Sequence, residues 1–153
     1  MSSVKISPES QRNLRNNAKA ELTRLETIQG NVETIKLLDE FKNKFNICES
    51  VYKVVLKEHQ ISKGKTDTNY LKLIMTQVPF ALAFAGYNFD KELLNELFGS
   101  SSQKGMTVKK LRDAVTHSID EKAVKEITNR QNELFGYMDD FLNTIRNFDQ
   151  VAA

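Results

Sequence analysis

Arg112, Asp113 and His117 fall within one short segment, "KKLRDAVTHSIDEK", which runs from Lys109 to Lys122. These residue types suit phosphoryl chemistry. An imidazole exchanges a proton near neutral pH, a guanidinium grips a phosphate and offsets the charge that builds on it, and a carboxylate can orient the imidazole. Asp113 lies four positions before His117, within reach across one helical turn. Arg112 lies five before it, and on an unbroken helix such residues point about 140° apart. The two therefore converge only if the chain bends between them or if a second copy supplies the partner. Lys109 and Lys110 stand ready to guide a polyanion, and Ser118 follows directly as a further hydrogen-bonding group.

The elements that would position these groups are helices. Thr107 can cap a short helix whose apolar positions are Val108, Leu111 and Val115. Ser118 and Glu121 form an S-x-x-E capping box, which predicts a new helix starting at Ser118 and leaves His117 in the junction. The N–H groups at that helix start favour an anion and disfavour imidazolium, whereas Asp113 favours it; the sequence leaves that balance open. The final helix is expected from about Ile119 to Phe148. Its seam of Val124, Ile127, Gln131, Leu134, Met138, Phe141, Ile145 and Phe148 can pack within a bundle or against a second copy.

Upstream, "SPES" announces a first helix with Ser7 as cap and Pro8 at its first position. Leu14, Ala18, Leu22, Leu25 and Ile28 make its stripe, and Gly30 ends it. Asn31 can cap a long second helix over Val32 to His59, whose stripe includes Phe41, Phe45, Cys48, Tyr52 and Val55. A third helix is expected from Asp67 or Thr68 to about Gly86, kinked near Met75 because Pro79 removes a backbone hydrogen bond. A short helix follows from Asp90, and "GSSSQKG" is a loop. The fold class read from this pattern is all-α: an up-and-down bundle of four to five main helices with a kinked third helix, in a single domain spanning 1–153.

"RDAVTH" resembles the R-x4-6-H motif of the HEPN superfamily, small helical domains found in RNase toxins, phage-defence proteins and RNA-processing factors. The resemblance is specific over about Val108 to Ile145. It implies that Arg112 and His117 are a catalytic pair with Asp113 as their polar neighbour, and that two copies place their motifs in one cleft. It further implies metal-independent cleavage of single-stranded or loop RNA, with Lys109, Lys110 and Ser118 at the substrate and an antitoxin as a protein partner. Asp113 stands where asparagine is common, and no tyrosine follows His117 within three positions. Those departures keep open a non-catalytic module that binds RNA, a nucleotide or a protein.

Composition narrows the field. The chain has 153 residues and a formal charge of +2, which does not suit a general nucleic-acid clamp. A lone Cys48 forms no internal disulfide and fits a cytoplasmic setting. Two distant histidines and one cysteine make no zinc site, and neither phosphate-loop nor dinucleotide glycine motifs occur, so neither a metal nor a cofactor is expected. The apolar run "YLKLIMTQVPFALAFAGYNF" is interrupted by polar residues and is too short to span a membrane.

Overall fold

The computed structural model describes residues 7–63, 79, 83, 90–100 and 102–147, with the side chains of 58–63 excepted. The described residues form six helices: α1 (Pro8–Gly30), α2 (Val32–Lys63), α3 (Lys91–Phe98), α4 (Val108–His117), α5 (Glu121–Asn129) and α6 (Gln131–Arg146). The all-α class holds. The expected third helix and its kink near Met75 lie outside the described residues, as does the side chain of His59.

Local chemistry sets most helix boundaries. Ser7 accepts the backbone N–H of Ser10 at 3.2 Å with Pro8 beside it, and Asn31 accepts that of Thr34 at 3.0 Å. Asp90 caps α3 and Thr107 caps α4 through the N–H groups of Glu92 and Lys110. Two boundaries differ from expectation. The capping box at Ser118 does not form: Ser118 is extended at φ −151°, and Asp120 caps α5 by accepting the N–H of Lys122 at 2.9 Å. A carboxylate held next to the first turn is the better partner for N–H groups at the positive helix end.

The single long final helix is also divided. The chain leaves helical geometry at Arg130, with φ −107° and ψ 15°, and restarts as α6. Arg130 is drawn into a network there. Its guanidinium donates to the carbonyl of Met106 at 2.9 Å and to the carboxylates of Glu126 and Glu133 at 2.6 Å each. Glu126 in turn accepts the N–H of Met106 at 2.8 Å. The loop before α4 is thereby tied to the α5–α6 joint. Gly105 sits in that loop at φ 130°, where a Cβ would come within 2.9 Å of the Arg130 guanidinium.

The chain divides into two compact units, Met1–Leu37 and Leu38–Ala153. In the first unit, α1 has no buried residue. The second holds the hydrophobic core. Phe41, Phe45, Cys48 and Tyr52 from α2 are fully buried, as are Leu94, Leu97 and Phe98 from α3. Val108 and Leu111 join them from α4, Ile127 from α5, and Leu134, Met138 and Phe141 from α6. Phe98 is the hub, with ring centroids at 3.7 Å from Tyr52, 5.6 Å from Phe45 and 5.5 Å from Phe141. The seam of the last helices thus packs into the chain's own core. Gln131, expected within that seam, is exposed because the break turns it away.

Candidate functional site

The cluster around Arg112 is built by α2 and α4. Leu111 and Val115 drive α4 onto the core, and that anchoring holds Arg112, beside Leu111, against α2. The guanidinium lies over the Phe45 ring, with its central carbon 4.7 Å from the centroid. It makes four hydrogen bonds. Nε donates to Asp113 at 2.8 Å, Nη1 to Asn46 at 2.6 Å and to Glu49 at 3.3 Å, and Nη2 to Glu49 at 3.1 Å. The two-pronged grip on Glu49 is the geometry that makes arginine pairs strong.

Burial matters here. The side chains of Arg112 and Glu49 are 14% and 16% exposed, so water screens this pair less than an open surface pair. Burial alone would pull the Arg112 pKa down. The hydrogen bonds it donates to Glu49 and Asp113 outweigh it and hold the group above its ordinary value.

The six expected site residues fall into two sets. Arg112 and Asp113 are brought together, each taking the other as partner. His117 is separate: it is exposed, forms the last residue of α4, and follows Arg112 on an uninterrupted helix. The bend that would bring them together within one chain does not occur; the chain turns only after His117, at residues 118–120. The pair therefore points about 140° apart within one chain. Asp113, expected to orient the imidazole, gives its carboxylate to Arg112 instead. Ser118 and Lys110 are exposed, and Lys109 is half-buried.

Sequence reasoning missed Asn46 and Glu49, which lie 66 and 63 residues before Arg112. The only available signal was position. Both flank the buried stripe of α2, directly beside Phe45 and Cys48; Asn46 is exposed, whereas Glu49 is half-buried, where a charged group needs a partner.

Among the described residues, no group of three or more His, Cys, Asp or Glu could hold a metal ion. No helix among them is long and apolar enough to cross a membrane. Comparison of the chain with protein-family models, with curated proteins and with solved structures gives no match.

Proposed function

We propose that this chain is a HEPN-like helical module that acts by binding a protein partner and does not cut RNA. The observation that carries this reading is the commitment of Arg112. A catalytic guanidinium must offer paired N–H groups to a phosphate, and four of the five here already have acceptors. The local charge adds no net attraction for a phosphate, since Glu49 and Asp113 offset Arg112 and Lys53, whose ammonium lies 3.9 Å from Glu49. Freeing the arginine would leave Glu49, at the edge of the core, with only the exposed Lys53 ammonium at 3.9 Å.

One observation favours the rival reading, a HEPN-type endoribonuclease with a composite cleft at a homodimer interface, acting as a toxin or defence effector. His117 is exposed beside exposed Lys110 and Ser118, so its ring is open to an RNA strand. In that mechanism His117 would take the proton of a ribose 2′-OH, and Arg112 would hold the scissile phosphate. A second copy does not by itself repair the arginine, because it brings an identical Arg112 held by its own Glu49.

The test is a metal-free cleavage assay on single-stranded and hairpin RNAs at micromolar protein, followed on denaturing gels. The binding reading expects no cleavage beyond that of His117→Ala. Cleavage that both His117→Ala and Arg112→Ala remove, with helicity and oligomeric state unchanged, would overturn it.

A further inference from the structure

Among the described residues, α1 presents a long exposed surface. This helix runs for 23 residues, about 34 Å at 1.5 Å per residue, without burying a single side chain. Helices in water draw most of their stability from packing an apolar face rather than from propensity. α1 has such a face. Leu14, Ala18, Leu22, Leu25 and Ile28 follow at steps of four, four, three and three, which keeps them on one side. Leu14 is 62% exposed and Leu22 58%, Ala18 is also exposed, and Leu25 and Ile28 are half-buried.

The charges of α1 say what fits there. Residues 8–19 carry Arg12, Arg15 and Lys19 against Glu9, a net of +2. Residues 20–30 carry Glu21 and Glu26 against Arg24, a net of −1. A helix that is basic at its start and acidic at its end is complementary to itself when reversed. The macrodipoles also favour that antiparallel arrangement. Arg15 and Glu26 are eleven residues apart and so lie within about 20° of each other around the helix. Both therefore border the same flank of the stripe, and antiparallel helices bring like flanks together.

We infer that α1 pairs antiparallel with α1 of a second copy of this chain. Leu14 meets Ile28 of the second copy, Ala18 meets its Leu25, and Leu22 lies near the crossing point. Arg15 then faces Glu26 at both ends of the contact. A parallel pair would bring opposite flanks together and leave Arg15 and Glu26 eleven residues apart along the axis, without this pairing, and a polyanion or a membrane surface would be repelled by the acidic half. The inference supplies a partner for the binding reading but rests on α1 alone, independently of Arg112.

Sedimentation equilibrium over the micromolar range tests it on the full chain. The wild type should show a concentration-dependent dimer that weakens with salt, and Leu14→Glu/Leu22→Glu should be monomeric. At concentrations too dilute for the wild type to dimerise, thermal unfolding of that variant should match it, because neither leucine is in the core. Arg15→Glu alone should weaken the dimer about five- to tenfold, since two facing pairs change from attraction to repulsion. Arg15→Glu/Glu26→Arg should restore it. A wild type that stays monomeric throughout, a dimer that survives Leu14→Glu/Leu22→Glu, or a double charge exchange that fails to restore association would each overturn the proposal. A monomer that also leaves RNA uncut would remove this partner while leaving the non-catalytic reading standing.

Discussion

Two residues, one at the edge of the core and one inside it, carry the account at the scale of single side chains. Arg112 was recognisable as the group most able to hold a phosphate, because its type and its distance from His117 are written in the chain. Its actual partners were not. A guanidinium close to several acceptors takes the nearest desolvated carboxylate, and Glu49 approaches only once α2 and α4 have packed. Cys48 is the second case, and here the apolar stripe was sufficient. The thiol is fully buried, with its sulfur 3.8 Å from the Met138 carbonyl, and burial pushes its pKa up to about 12 from an ordinary 9.0. The thiolate is the reactive form. Native protein at pH 8 should therefore leave Cys48 unmodified by a disulfide reagent, while denatured protein reacts at once; rapid labelling of the folded chain would contradict the burial. The sign for stability follows. The folded thiol keeps its proton where the unfolded one loses it, so this contribution is intact below about pH 9 and is lost as pH rises toward 12.

At the scale of elements, caps were legible because they are local. Ser7, Asn31, Asp90 and Thr107 each act within three residues of themselves; the sequence identified Ser7, Asn31 and Thr107 as caps and Asp90 as a helix start. The start of α5 was misread because two acceptors compete within three residues, and a pattern cannot rank Ser118 against Asp120. Substitution can. Asp120→Ala should lower stability by about 1 kcal/mol, and Ser118→Ala should be near neutral, in chemical unfolding. The reverse order would restore the capping box. The break at Arg130 was invisible for another reason. Ile127 and Leu134 are seven residues apart and both face the core, so the apolar period runs on across the interruption. What breaks the helix is a tertiary demand, the hold of Arg130 on the Met106 carbonyl.

Taken whole, the molecule owes its core to the second unit, where α2, α3 and α6 meet at Phe98. The apolar stripes of those helices predicted most of the buried residues, although Val32 at the start of the α2 stripe is 76% exposed and Val55 is half-buried; they could not say that one short helix would supply the hub. Phe98→Ala should cost about 3–5 kcal/mol, read from the shift in denaturation midpoint, since it empties space shared by Tyr52, Phe45 and Phe141. A loss below about 1 kcal/mol would mean that the rings do not form one packed cluster. The all-helical class was readable from periodicity alone. Function was not, because the motif that suggests it is short and its meaning turns on contacts made 63 residues away.

The central claim, that Arg112 is committed to Glu49, is tested most directly by a double-mutant cycle in urea unfolding with Arg112→Met, Glu49→Met and the pair together. Each single change should cost about 1–3 kcal/mol, because it strands a half-buried charge, and the double should cost clearly less than their sum. Strict additivity with a near-neutral Arg112→Met would show the guanidinium to be free, and with it open to a phosphate.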